Sequence, residues 1–411
     1  MIGAGVSGLT AAYLLSRAHE VTLFEQEPRL GGHAHTHDVS LGARVVPVDT
    51  GFMVYNERTY PNFIKLLAEL GVESRPSDMS FSVRCRRCGL EYSSDGIDGL
   101  FAQRGRLLSF AHWRLLADIA RFFRLGRRAL EGGDAGGTLG AFLDENGFGD
   151  DLGRHFVLPM GGAIWSASVA DMRAFPVSSY LRFMDNHGLL AAAGQPRWRT
   201  LTGGSRTYVS AIARRLGPAV QAGVPVRGVS RHERGVSVVR DDGATSEHDA
   251  VVVATHADQA LGLLADASPA EREALGRFRY SINDTFLHSD ERLLPGEPYA
   301  RASWNCDIAD CRDTRSPVSV TYDLARLQGH RSGRPLLCSL NPVEPVSGEV
   351  LARMSYSHPI LDGPAVEGQG LIGRLNGERR TWFCGAHLRY GFHEDGVLSA
   401  VNVARGLGVE F

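Results

Sequence analysis

Apolar positions along this chain follow two periods, one of strands and one of helices, and the two alternate as they do in mixed α/β proteins. The run Glu20-Val21-Thr22-Leu23-Phe24-Glu25 predicts a strand, and Leu9 to Arg17 before it predicts a helix packed on a sheet. Tyr60 to Gly71 is an amphipathic helical pattern closed by glycine, the residue that adopts the left-handed turn at a helix end most easily. Further on, Val224-Pro225-Val226 and Gly235 to Val239 alternate as strands, with Asp241-Asp242-Gly243 as a turn signal. Asp249 to Thr255 is continuously apolar at its centre, which marks a parallel strand buried on both faces. Arg206 to Leu216 predicts another helix, Thr381 to His387 a late strand, and Val397 to Gly406 a terminal helix.

Between the first strand position and the first helix lies Gly3-Ala4-Gly5-Val6-Ser7-Gly8, and Glu25 ends the next strand. This is the spacing of a dinucleotide-binding fingerprint. Gly3 permits the tight turn, Gly5 lets a pyrophosphate approach the backbone, and Gly8 lets the helix pack on the sheet. Val6 and Ser7 lie in the turn ahead of that helix, whose N-terminus would receive the phosphates, and Glu25 would bond a ribose hydroxyl, with Gln26 beside it. A central parallel strand needs about five residues, yet only Met1 and Ile2 precede Gly3, which predicts a true start upstream of Met1.

Just beyond Glu25, the pair Gly31-Gly32 followed by His33 resembles the FAD-binding Gly-Gly motif of the flavin-containing amine oxidase and phytoene desaturase superfamily. There the paired glycines let a loop pass close to the FAD phosphates, and family members often carry Arg where His33 stands. The resemblance implies three further pieces. The region around Val226 would give backbone contacts to the adenine side. Gly385, after the late strand, would approach the ribityl and phosphate region, although Ala386 replaces the usual Glu. His393-Glu394-Asp395-Gly396 would bring the terminal helix to the flavin pyrimidine, where its dipole favours negative charge. The implied fold is α/β. A discontinuous Rossmann-like FAD-binding domain (1–55, 201–267 and 371–411) would be joined by an α+β, amine-oxidase-like substrate domain (56–200 and 268–370), whose first segment would be largely helical.

A closer likeness runs through Val48 to Asn56, Gly162 to Ser166 and Gly391 to Gly396. Together these resemble a branch of predicted NAD/FAD-binding proteins associated with cyclopropane and methyl-branched fatty-acid synthesis. The implied substrate is a lipid acyl chain, modified while attached to a phospholipid.

Composition narrows the picture. With 411 residues, 43% hydrophobic content and a formal net charge of -2, the chain has material for two domains and gives no basis for binding nucleic acid. No apolar run approaches the roughly 18 residues of a membrane span, so the expected location is the cytoplasm. Phe110 to Leu130 interleaves five arginines with large apolar residues. Such a helix either lies in an anionic membrane interface, making a peripheral contact, or is a domain helix with solvated arginines.

Cys85-Arg86-Arg87-Cys88 has the spacing of half a zinc site, but no second such pair follows. It reads as a hairpin turn between Met79 to Val83 and Leu90 to Ser93, with reduced thiols. No metal is expected at His33, His35 and His37 either, because they follow directly on the glycine pair.

His393 is the candidate catalytic base, since an ordinary imidazole titrates near neutrality. The alternative is a histidine hydrogen-bonded to flavin or backbone. Glu394 and Asp395 are expected to cap the helix or bind the cofactor. Trp165 and Tyr55 either line the pocket or belong to the core. The one lysine, Lys65, leaves none in the later chain, where many amine oxidases use one to bind a water at flavin N5. The leading expectation is an FAD-dependent oxidoreductase that desaturates or oxidises a fatty-acyl substrate, with electrons passing on to oxygen or a quinone. The competing readings are an amine oxidase acting on a small amine, and a non-redox FAD isomerase or accessory partner of a lipid methyltransferase.

Overall fold

The computed structural model of the protein describes residues 1–42, 44–133, 136–190 and 194–411. A parallel sheet holds the N-terminal glycine turn. Its strands, in spatial order, are Val220–Ala222, Leu23–Glu25, a bridge position at Ile2, Val251–Val253 and Thr381–Phe383. Helix Val6–Leu15 leaves this sheet directly after Gly5 and packs against the terminal helix His393–Gly406. Leu9, Ala12 and Leu14 of the first meet Val397, Ala400 and Val403 of the second in one apolar cluster. Nearly every side chain of helix Val6–Leu15 is buried, so its pattern carries no polar face.

Several boundaries differ from the sequence expectation, each for a local reason. The strand expected from Val224 begins its ladder at Val226, after Pro225, which has no N–H to give. The late strand ends at Phe383, and the chain then turns through Gly385, where a Cβ would collide with the His387 ring. The terminal helix begins four residues before Val397, at His393, because Asp395 accepts the Phe392 N–H at 3.0 Å and closes the first turn.

The second layer is a seven-stranded sheet in the spatial order Val350–Ile360, Arg279–His288, Leu337–Leu340, Ser319–Asp323, Trp304–Ile308, Phe81–Cys85 and Leu90–Ser93. Neighbours are antiparallel except Trp304–Ile308 and Phe81–Cys85, which run parallel with Cys306 opposite Val83. Helices Phe110–Glu131, Leu158–Trp165 and Val177–Asn186 share an apolar cluster built on Phe122, Tyr180 and Leu181. Gly126 allows the close crossing there, since a Cβ would stand 2.8 Å from Leu181 Cδ2. The helical character expected of the first substrate segment therefore holds, with the hairpin Phe81 to Ser93 added to the sheet edge. Among the described residues no helix is long and apolar enough to cross a membrane.

Candidate active site

A cavity of about 1060 Å³ runs from the glycine turn, beneath the seven-stranded sheet, to helix Phe110–Glu131. At its polar end Gly3 has φ +97°, and Gly5 has nothing within 4 Å of where a Cβ would stand, which leaves open room over the backbone. A Cβ on Gly8 would strike the Gly3 carbonyl, so this glycine serves packing and does not line the cavity. Glu25 accepts the Ala4 N–H at 2.7 Å and the Glu27 N–H at 3.0 Å, one on each carboxylate oxygen. It lines the cavity, and each oxygen keeps a second lone pair for a ribose hydroxyl. Gly31 and Gly32 have φ +108° and +57°, and the Gly31 N–H donates to the Ala4 carbonyl, which brings the second loop over the first. Gln26, Val226 and Gly385 line the same cavity, as do Val6 and Ser7.

His33 tests whether a dinucleotide fits here. Its imidazole is half-buried, and its Nε2, shielded from solvent, finds no hydrogen-bond partner in the protein. An unpaired buried nitrogen is costly unless a ligand satisfies it. Together with the open room at Gly5 and the free lone pairs of Glu25, this residue set fits FAD. Gly3, Gly5, Glu25, Gly31, Gly32 and His33 would hold its nucleotide portion.

The terminal helix corrects part of the sequence expectation. His393 is buried against the cavity, stacked on Phe52 with ring centroids 3.6 Å apart, and its Nε2 lies 3.1 Å from the Tyr208 hydroxyl. Burial pushes its imidazole down to about 3. The ordinary titration that a base role assumed is absent, and His393 is a neutral, hydrogen-bonded wall of the site. Glu394 points away from the cavity. Its carboxylate accepts the Asn62 and Phe63 N–H groups at 3.2 and 2.9 Å, capping helix Pro61–Leu70 from another part of the chain. Asp395 caps its own helix, and Gly396 packs where a Cβ would stand 2.7 Å from Val6 Cγ1 and 2.8 Å from Ser7 Oγ. Glu394, Asp395 and Gly396 thus hold three helix N-termini together, those of His393–Gly406, Pro61–Leu70 and Val6–Leu15, and do not line the cavity. Of the two roles expected of Glu394 and Asp395, capping is the one their hydrogen bonds perform, and Gly396 serves close packing.

Sequence reasoning missed a group of histidines. His256 and His358 lie with ring centroids 6.2 and 5.2 Å from His33, Tyr280 stacks on His256 at 4.5 Å, and His387 completes the wall. Burial lowers all of them, His358 to about 4 and His387 to about 3, so the wall is uncharged at neutral pH. They come from three distant segments and carry no shared spacing, so no sequence signal pointed to them. His35 and His37, by contrast, hydrogen-bond to Tyr356 and Thr50.

Toward its other end the cavity is apolar, walled by Met160, Ile164, Trp165, Phe156, Phe123 and Leu116. Trp165 is both wall and core, donating its Nε1 proton to the Tyr390 carbonyl at 3.1 Å, whereas Tyr55 is core alone, its hydroxyl bonded to Ser74. Among the described residues lining the cavity, Glu25 is the only one of the Asp, Glu, Lys and Arg types. Lys65 sits elsewhere, its ammonium 4.3 Å from the centroid of the Phe411 ring.

Helix Phe110–Glu131 joins the core by one face. Along most of its length it is a domain helix, with Leu115, Phe122 and Gly126 buried. One stripe, Trp113, Leu116, Ala120 and Phe123, passes from the surface into the cavity wall. At its outer end Leu108 is 94% and Phe110 83% exposed, and Ile97, also exposed, lines the cavity.

Comparison with known proteins agrees with this geometry. The family profile described as Flavin containing amine oxidoreductase matches residues 6–298. Coproporphyrinogen III oxidase of Mycobacterium leprae (strain TN) is 28% identical over 301 residues, covering 67% of this chain and 63% of that protein. The alignment thus spans less than two thirds of that relative's length. Among solved structures, cyclohexylamine oxidase from Brevibacterium oxydans IH-35A has a TM-score of 0.69 at 16% identity, covering 99% of this chain and 98% of the other. A CLA-producing fatty acid isomerase from P. acnes has a TM-score of 0.65 at 15% identity, covering 98% and 97%. At such identities the likeness is one of fold.

Proposed function

The chain belongs to the flavin-containing amine oxidoreductase family, and we propose that it is an FAD-dependent oxidoreductase acting on the hydrocarbon part of an uncharged, lipid-like substrate such as a fatty-acyl chain. The observation that carries this reading is the absence of charge along the apolar end of the cavity. An ammonium group there would find no carboxylate, because Glu25 belongs to the nucleotide end, and a free carboxylate would find no arginine or lysine. Burying either ion unpaired costs several kcal/mol, on the order of the whole binding energy of a modest ligand. An acyl chain held as an ester meets no such penalty.

Bound FAD supplies a two-electron acceptor. In a desaturation, adjacent substrate carbons would lose two hydrogens, one as hydride and one as proton, both would end on the two-electron-reduced flavin, and a carbon–carbon double bond would form. The protein's part is to orient the chain between Trp165, Ile164 and Phe123, and to keep water out. The neutral histidine wall holds the flavin end without adding charge. Access follows the apolar stripe of helix Phe110–Glu131 outward to Leu108 and Phe110, a rim suited to a bilayer surface from which an acyl chain can enter. The names of the family and of cyclohexylamine oxidase point to amine oxidation, and the uncharged apolar end is what argues against it here.

Equilibrium binding of three ligands of equal chain length tests the reading: an acyl methyl ester, the free fatty acid and the fatty amine. The ester should bind at least about tenfold more tightly than either ion, which corresponds to roughly 1.4 kcal/mol. Tightest binding by the amine would overturn the proposal.

A further inference from the structure

The hairpin turn that the sequence reads as ordinary brings more than two cysteines together. Cys85 ends strand Phe81–Cys85, and Cys88 lies in the turn that follows, closed by Gly89 at φ +66°. Strand Trp304–Ile308 runs parallel beside it with Ile308 opposite Cys85, which carries Cys311 to the same corner. From the helical layer, the π-helical turn Gly153–Val157 brings in His155, whose Nε2 lies 3.4 Å from Cys88 Sγ. The three sulfurs and one imidazole nitrogen all lie within 4.8 Å of one another. The half-site without a sequence partner thus finds its other half in space.

We propose that Cys85, Cys88, His155 and Cys311 form a structural zinc site. Tetrahedral zinc has Zn–S bonds of about 2.3 Å and Zn–N bonds of about 2.0 Å, which sets its ligand atoms roughly 3.5 to 3.8 Å apart. The four atoms here need to close by about an ångström or less to reach that geometry. Three thiolates and one imidazole are a soft set that suits zinc better than magnesium or calcium, and with four protein ligands no position is left open for catalysis. Outside the ligands, the Asp151 carboxylate lies 3.7 Å from His155 Nδ1, where a carboxylate orients a zinc-bound imidazole. The Tyr92 hydroxyl donates to the His155 carbonyl at 2.8 Å, fixing the turn that presents the ring. Cys88 is exposed, which gives the ion a path in from solvent.

The metal would join three parts of the chain that are far apart in sequence: the hairpin at the sheet edge, the loop after Trp304–Ile308, and the turn Gly153–Val157. Phe156, next to the histidine ligand, lines the apolar end of the cavity. The zinc therefore holds one wall of the substrate chamber from outside.

The test uses the FAD-loaded full chain, purified without chelator and gel-filtered, with metal content measured by plasma mass spectrometry. One zinc per chain is expected in the wild type, with loss of that zinc in Cys88→Ser and in Cys311→Ser. Cobalt exchanged into the wild type should give the intense absorbance of tetrahedral thiolate coordination. Stripping the zinc should lower the unfolding temperature while FAD stays bound. Wild-type protein whose thiols are all free and which takes up no zinc would overturn the proposal. So would a Cys85–Cys88 disulfide in the intact mass, octahedral cobalt absorbance, or zinc held equally by both variants. The wild-type metal content and the cobalt spectrum decide the matter even where a serine variant fails to fold.

Discussion

Two opposing demands meet at Asp395. Its carboxylate must accept the Phe392 N–H to start the terminal helix, yet burial pushes the group up to about 7. Asp49 is in a similar position, raised to about 6 by burial although Thr36 and Ser205 donate to it. In both, the folded state holds a proton that the unfolded chain has released above its own value near 3.8. Stability therefore falls as pH rises from about 4 to about 7, and the loss is complete above the folded value. Asp395→Asn keeps an oxygen to accept the Phe392 N–H and removes the ionisation. Relative to the wild type it should gain stability on going from pH 5 to pH 8, by an amount on the order of 1 to 3 kcal/mol. Chemical denaturation at the two pH values measures this, and an unchanged difference between variant and wild type would show that Asp395 ionises in the folded protein as freely as in the unfolded one. His393 makes a related point: its type and position suggested a base, whereas its burial against Phe52 and Tyr208, which no single sequence shows, removes the titration that role needs.

At the scale of elements, helix Phe110–Glu131 has two jobs along one length. Its inner turns close the core around Phe122, and its outer end exposes Phe110 and Trp113 next to Leu108. Replacing Leu108 and Phe110 together by Asp should weaken sedimentation with anionic vesicles at least tenfold. The basis is that each large apolar side chain contributes about 1.5 to 3 kcal/mol when buried. FAD content and unfolding temperature should stay near the wild-type values, since neither side chain touches the core. Undiminished vesicle binding by the variant, or none by the wild type, would contradict the proposed membrane contact at this rim. The element boundaries also show where sequence patterns suffice. Helix Arg206–Leu216 and the glycine cap of Pro61–Leu70 were readable because a local pattern and a local stop signal coincide. The early start of the terminal helix was not, because it depends on a side chain that reaches back to Phe392.

Across the whole molecule, the cofactor end of the site was legible and the substrate end largely was not. Glycine turns and the acid at the end of the second strand act through neighbouring residues, so Gly3, Gly5, Glu25, Gly31 and Gly32 were legible in sequence. The histidine wall, the parallel pairing of Phe81–Cys85 with Trp304–Ile308, and the meeting of Cys88, His155 and Cys311 all depend on contacts between remote segments. What the fold adds is a single chamber, polar where the glycines line it and without charge where the helices do. That chamber is the central claim, and an anaerobic absorbance titration of the FAD-loaded protein tests it most directly. Phospholipids with unsaturated or methyl-branched acyl chains are added to one sample and a polyamine to another. Loss of the oxidised-flavin absorbance is expected with a lipid and none with the polyamine. Loss with the polyamine alone, or with neither while FAD remains bound, would contradict it.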